Sequence, residues 1–330
     1  MSGDTSKQVS PTHEEVLEYF DTLSNWGRWG GDDELGTLNL LTPEVRLAAV
    51  RLVSEGEIVP LGMDLDADNP DPLGRGTKMS RETDIHKAGT KMQGVREWIG
   101  MMPHGSATHL DAPSHFAFDG TMYNGFPATE VTPDGGAAKL DVANARGGIV
   151  TRGVLLDVAG TRGVDWMEPG EGVTPDDLAA AEEAAGVEVR PGDFLIVRTG
   201  YLKRAFDTGD AGDLANGYHP SSLPWLKERD VAVVSCDALN DMQPSIYGPD
   251  RILSPDRDDL SGVDPKLLDL LFPVHAVSLV AMGAWLVDNV VVEELVATCA
   301  RLGRWEFLIA MDPLRFVGST GCQVNPLAIF

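Results

Sequence analysis

Three of the chain's seven histidines, His104, His109 and His115, fall within twelve residues of one another together with Asp111. Any fold adopted by this chain has to accommodate that density of imidazole and carboxylate. In an extended segment His109 and Asp111 lie on one face, because side chains along a strand alternate with a period of two. A helix would carry the pair apart, and Pro113 argues against a helix through the run. The proline marks a turn that brings His115 back toward the face shared by His109 and Asp111.

Imidazole with carboxylate suits Zn²⁺, Mn²⁺ or Fe²⁺ rather than Ca²⁺ or Mg²⁺, which prefer all-oxygen ligands. Cys236, Cys299 and Cys322 stand far apart and form no CxxC pair, so neither a disulfide framework nor a closed thiolate zinc site is expected. The pattern points to an open, catalytic metal. Such an ion lowers the pKa of a bound water and polarises a carbonyl, the two requirements for hydrolysing an amide, lactone or ester.

The rest of the chain reads as α/β. Thr42-Pro43-Glu44 opens a helix that Gly56 should close, and Thr174-Pro175-Asp176-Asp177 opens a second that ends at Gly186. Short apolar runs at residues 153–158, 194–197 and 231–236 are inner strands, and residues 291–302 form a helix with acidic residues near its start and arginines near its end. Residues 1–12 are polar and small and are expected to be a mobile tail, leaving 13–330 as one domain. Two long loops, 60–100 and 238–262, should shape the site. A net charge of −25 excludes phosphate-rich partners, nucleic acid and anionic membrane alike. With no apolar run of membrane-spanning length and no signal-peptide core, the expected location is cytoplasmic.

The pattern Thr108-His109-x-Asp111-x-Pro113-x-His115-Phe116, followed by Asp119-Gly120, resembles the cyclase-like metal-dependent hydrolases, a family that includes kynurenine formamidase, isatin hydrolase and trans-dienelactone hydrolase. Gly153-Val-Leu-Leu-Asp157, Arg198-Thr199-Gly200, Asp237 and Pro313-Leu-Arg-Phe-Val-Gly-Ser-Thr320-Gly321 follow in the same order. The resemblance implies a swivelling β/β/α fold, mixed sheets forming a barrel-like core flanked by helices, and a homodimer or homotetramer acting on a small-molecule substrate. It implies that His109 and Asp111 hold the metal, that His115 ligates or acts beside it, and that distant His275 and Asp288 complete the site as catalytic groups. His104 lies one residue further from His109 than the family's first histidine and would need a bulge to join the ligands. Asp288 stands where the family carries glutamate, and its shorter carboxylate favours one ion, Mn²⁺ or Zn²⁺, over the two that the resemblance allows.

Trp29, Tyr123 and His219 are candidate substrate contacts, each with a plainer role available: Trp29 as a buried seal, Tyr123 within an Asn-Gly turn, His219 as a solvated loop residue. Arg198, at a strand end, is read as the partner of Asp157. The reading is therefore a metal-dependent hydrolase cleaving a C–N or C–O bond of a small cyclic or aryl amide, lactone or ester. The alternatives are a lyase or ring-closing cyclase working through an enolate, and a non-catalytic binding protein on the same fold.

Overall fold

The computed structural model describes residues 10–212, 214–248 and 268–330. Its centre is a mixed, curled nine-stranded sheet flanked by helices. In chain order the labelled elements are helix α1 (His13–Thr22), helix α2 (Pro43–Val50), β1 (Ile58–Pro60), β2 (Met79–His86), β3 (Gly94–Met101), β4 (His109–Asp111), β5 (Ile149–Asp157), α3 (Pro175–Ala185), β6 (Phe194–Arg198), α4 (Tyr201–Thr208), α5 (Leu223–Glu228), β7 (Val233–Cys236), α6 (Pro273–Ala276), β8 (Trp285–Asp288), α7 (Glu293–Leu302), β9 (Glu306–Met311), β10 (Gly321–Gln323) and β11 (Leu327–Ile329). The sheet order is β1-β11-β9-β5-β6-β7-β8-β4-β10. Strands β5, β6, β7 and β8 run parallel, and every other pairing in the sheet is antiparallel.

The parallel strands are the apolar runs of the sequence, and they are apolar because both faces are covered. Val154, Leu156, Leu195, Val197 and Val234 enter one buried layer, while Leu155, Phe194, Ile196 and Val233 enter the other. Helices α3, α4 and α5 supply Leu178, Leu202 and Leu226 to the first layer, and α7 supplies Leu295 and Cys299 to the second. Arg198, at the end of β6, donates to Asp157 at 2.8 Å and to Glu293 at 2.7 Å, tying two strand ends to α7.

Helix α3 follows its sequence signals: Thr174 and Asp177 form a reciprocal capping box, and Gly186 ends the helix with φ +65°. Helix α2 begins as expected but stops at Val50, short of Gly56. Leu52 and Val53 bond back only three residues, to Ala49 and Val50, tightening the last turn. Gly56 (φ +71°) steers the chain into β1, its amide and that of Glu55 both donating to the Phe330 carbonyl. The region 60–100, expected to be loop, contains the β2–β3 hairpin. Of the loop expected at 238–262, residues 249–262 lie outside the described residues. Residues 10–12, read as part of a mobile tail, are tied down: Thr12 caps α1 in a capping box with Glu15, and the Pro11 carbonyl accepts from the Tyr247 hydroxyl at 2.6 Å.

Gly36 carries a testable constraint. Its φ is +57°, and a Cβ there would lie 1.9 Å from the carbonyl oxygen of Gly283, which also accepts from Thr37. Gly36→Ala should therefore cost at least about 1–2 kcal/mol from the left-handed backbone alone, with the clash in addition. Urea unfolding checks it, and an unchanged midpoint would show that this contact relaxes freely.

Asp237 sets a pH dependence. It is wholly buried after β7 and accepts from the Thr199 amide, the Thr199 hydroxyl and the Gly200 amide, each at 2.7 Å. Burial nonetheless pushes its pKa up to about 6. A raised carboxyl pKa means that the folded state binds a proton the unfolded chain has already lost, so this group's contribution is fully present below the ordinary carboxyl value and disappears as pH rises through about 6. Two pH units amount to about 3 kcal/mol at most. The difference in stability between wild type and Asp237→Asn, measured from pH 4 to 7, should shift in favour of the variant as pH rises; a flat difference would contradict it.

Candidate metal centre

Strand β4 is three residues long and buried throughout. On one side β8 sets Asp288 opposite His109 and Leu286 opposite Asp111. On the other, β10 sets Gln323 opposite His109 and Gly321 opposite Asp111. Directly paired residues point to the same side of a sheet, so His109, Asp111 and Asp288 share one face while Leu110 and Val287 enter the apolar layer behind. The extended reading of His109-Leu-Asp111 and the turn at Pro113, here a single 3₁₀ turn over Pro113–His115, match the chain.

Each imidazole is aimed by a bond on its far nitrogen. His109 Nδ1 is 2.7 Å from the Ala107 carbonyl, which directs Nε2 inward, 3.6 Å from Asp111 Oδ1 and 3.9 Å from Asp288 Oδ2. His275 sits in α6, and its Nδ1 is 2.5 Å from Asp241 Oδ2. Its Nε2 then lies 3.5 Å from Asp111 Oδ2 and 3.4 Å from Asp288 Oδ2. Asp241 also accepts from the Val274 and His275 amides at 2.7 and 2.8 Å, so one buried carboxylate fixes both the helical turn and the ring on it. Asn240 saturates the other oxygen of Asp288, with its amide at 3.0 Å and its side chain at 2.6 Å, leaving Oδ2 to face the centre.

His104 reaches the site. Its Nδ1 is 2.7 Å from Asp111 Oδ1 and its Nε2 2.9 Å from Thr320 Oγ1. The additional residue between His104 and His109 is absorbed at Gly105, where φ is +119° and a side chain would strike Thr77 Oγ1 at 2.2 Å. Gly321 makes room for the ring, since a Cβ there would lie 2.6 Å from His104 Cε1. His104, His109 and Asp111 form one group of three donors and Asp111, His275 and Asp288 another, with all donor atoms in each group within 4.8 Å of one another. Asp111 belongs to both.

The electrostatics suit a cation. Burial raises the cost of charging Asp111, yet the imidazoles of His115, His109 and His104 around it hold its pKa well below the ordinary range. Its Oδ2 is buried and accepts no hydrogen bond, an arrangement that is expensive for a carboxylate unless positive charge stands beside it. Burial opposes protonation of His275, but Asp288, Asp111 and Asp241 together raise its pKa well above the usual value; reciprocally, Asp288 is held low against the cost of its burial by His275 and His109. A bare oxygen, imidazole nitrogens directed inward and no thiolate among the donors fit a divalent ion of the Zn²⁺ or Mn²⁺ type.

The remaining candidates are placed differently. His115 stacks on His104 with ring centroids 3.7 Å apart and belongs to neither donor group; burial brings its pKa down to about 3. Tyr123 is fully buried and donates to Asp33 at 3.0 Å. Trp29 carries the Arg28 guanidinium 4.7 Å above its ring, and His219 is bonded to Ser10 and Ser221. None of these three is among the groups converging on Asp111. Phe116 and Phe272 stand near His275, at 5.4 and 6.0 Å between ring centroids, and form an aromatic wall. Asp241, Asn240 and Thr320 were not singled out from sequence. The available signal for the first two was their position in the segment following β7, where strand ends of parallel sheets build sites.

The Cyclase family model matches residues 59–240, more than half of the chain. A solved structure described as a novel cyclase superposes with a TM-score of 0.81 at 28% identity, covering 98% of this chain and 100% of its own. Isatin hydrolase A from Ralstonia solanacearum has a TM-score of 0.55 at 18% identity over 87% of this chain and 97% of its own. Isatin hydrolase A from Labrenzia aggregata, bound to benzyl benzoate, has a TM-score of 0.52 at 20% identity over 88% and 98%; at these identities the two share the fold. No curated protein matches the chain.

Proposed function

The chain belongs to the cyclase family, and on that premise we propose that it is a metal-dependent hydrolase cleaving a C–N or C–O bond of a small cyclic or aryl amide, lactone or ester. The observation that carries this reading is the buried, unbonded Oδ2 of Asp111 facing His275 between two groups of inward-directed donors. His109, Asp111, His275 and Asp288 would hold the ion, with His104 completing the set beside Asp111. A divalent ion bound there supplies Lewis acidity, lowering the pKa of water and polarising a carbonyl.

The protein's own groups do the rest. Asp241 and Asn240 orient His275 and Asp288, so the donors are held before the ion arrives. His115, adjacent to the donors and stacked on His104, is kept neutral by burial, so its ring can orient water or substrate through a hydrogen bond at a ring nitrogen. Phe116 and Phe272 exclude water from one side and offer flat apolar surface to a ring-bearing substrate.

The test is turnover of a cyclic amide such as isatin, chosen because two solved proteins of the same fold are isatin hydrolases. The assay is run in ¹⁸O-labelled water with and without a chelator. Label in the product and loss of activity on chelation are expected. Full activity in metal-stripped protein would sink the metal assignment, and a product without label would favour the lyase or cyclase reading.

A further inference from the structure

Arg75 stands without an acidic partner. The chain holds 51 acidic residues against 26 basic ones, yet among the described residues no carboxylate pairs with this guanidinium. Its one side-chain hydrogen bond runs from Nη2 to the Tyr201 hydroxyl at 3.0 Å. Its Nε is buried and bonds to nothing, which is destabilising for a charged group. Tyr201 is 1% exposed. Because its oxygen accepts from Arg75, its own proton is left to donate, and no acceptor for it stands among the described residues. The Arg204 guanidinium, 5.6 Å from the centre of the same ring, adds positive charge. A phenol proton and unused guanidinium hydrogens at one place are what an anionic oxygen would satisfy.

The fold sets this pair at the end of the sheet where the donors stand. Residues on both sides of Arg75 are tied to Ser106: the Leu73 amide donates to its hydroxyl at 3.4 Å, and its amide donates to Thr77 Oγ1 at 2.7 Å. Asp71 closes the loop, accepting from the Ser106 hydroxyl and from the Arg75 and Gly76 amides. Ser106 lies between His104 and His109. Tyr201, at the other end of the contact, opens α4 just beyond β6. The sheet order there is β6-β7-β8-β4 with β4 antiparallel to β8, so the residues leading into His109 lie at the C-terminal ends of the parallel strands. Arg75 thus bridges from the segment before β4 to the end of β6, past the ends of β7 and β8 that carry Asn240, Asp241 and Asp288. Those ends are where sheets of this kind bind ligands.

We propose that Arg75 and the Tyr201 hydroxyl bind a carboxylate that the substrate carries apart from its scissile bond, and so select anionic over neutral substrates. A body of net charge −25 repels an anion at a distance, so holding one takes a dedicated cation. Selection among substrates rests on the hydrolase reading; carboxylate binding does not, since neither residue is a metal donor.

Glutarate is titrated calorimetrically into Asp111→Asn, whose centre should hold no ion, so that binding reads this site rather than a carboxylate on a metal. Binding is expected, and adding Arg75→Met should weaken it by about 10–100-fold, with Tyr201→Phe weakening it less. Arg75→Lys keeps the charge but not the planar fork and should recover part of the affinity. Arg81→Met, in the β2–β3 hairpin, should bind as its parent does. With otherwise wild-type protein, kcat/KM for monophenyl glutarate should exceed that for phenyl acetate, and Arg75→Met should lower the ratio by the same factor while keeping the circular dichroism of wild type. Glutarate binding no weaker in Arg75→Met, or an ester ratio that survives the substitution, would overturn the proposal. Glutarate held through Arg75 by a protein that cleaves neither ester would leave the carboxylate site standing and count against the hydrolase reading instead.

Discussion

Asp111→Asn should yield a folded protein that retains almost no ion and turns over its substrate roughly 10³-fold more slowly or worse. Asp111 is the one residue common to both donor groups, so a single substitution removes a donor from each. Asparagine keeps the volume and one oxygen but lacks the charge that the surrounding imidazoles stabilise, and its amide group would stand where a lone pair faces His275. The fold should survive, because β4 is held by backbone pairing on both sides and Leu110 remains in the apolar layer. Metal analysis, turnover and circular dichroism on one sample separate the alternatives. Wild-type ion content in the variant would mean that Asp111 is a structural carboxylate and the centre lies elsewhere.

Asp241→Asn is expected to lower ion affinity by about 10–100-fold without contact with the ion itself. Asp241 Oδ2 binds both the ring and the amide of His275; an asparagine can satisfy one of its former donors with oxygen but presents hydrogens to another. His275 would then lose the bond that directs Nε2 toward Asp111 and Asp288. Chelator competition gives the affinity directly, and Asp241→Glu, which restores the charge at a changed reach, should recover part of it. An affinity within twofold of wild type would show that the α6 backbone alone positions the ring. Removing the ion has a corresponding effect on wild type: anything that binds only the folded state stabilises it in proportion to ligand concentration over Kd, so chelation should lower the melting temperature of wild type and leave Asp111→Asn unmoved.

What could be read from the sequence was mostly local. Helix α3 was legible because Thr174, Pro175, Asp177 and Gly186 each satisfy a named backbone group at a helix end, and the inner strands because double burial leaves an unbroken apolar run. His109 and Asp111 were legible together because a strand's alternation is a two-residue rule. Thr12 with Glu15 was equally readable as a capping box and was passed over because the segment before it is polar. The β2–β3 ribbon was missed for a physical reason: Arg81, Thr83 and Glu97 share one face with Ile85, Val95 and Ile99 while Trp98 lies on the other, so neither strand shows the half-buried alternation. Asp241 and Asn240 were not legible because they act largely through backbone amides and through one other side chain each, relations that exist only once α6 and β8 are in place.

The pairing of β4 sets when, during synthesis, the proposed metal centre can form. His109 and Asp111 leave the ribosome early, but both neighbours of their strand come much later, at Trp285–Asp288 and Gly321–Gln323. Until residue 323 has been made, one edge of that short segment stays bare, Thr320 has not arrived beside His104, and the pocket has no closed wall. Capture of an ion at the proposed centre would therefore be a late event, since contacts of such sequence separation form slowly. Nascent chains arrested before β8 should bind metal no better than unfolded peptide, and those arrested well beyond residue 323 should bind it as the finished protein does. On that reading a metal would seal a completed chain rather than nucleate its folding.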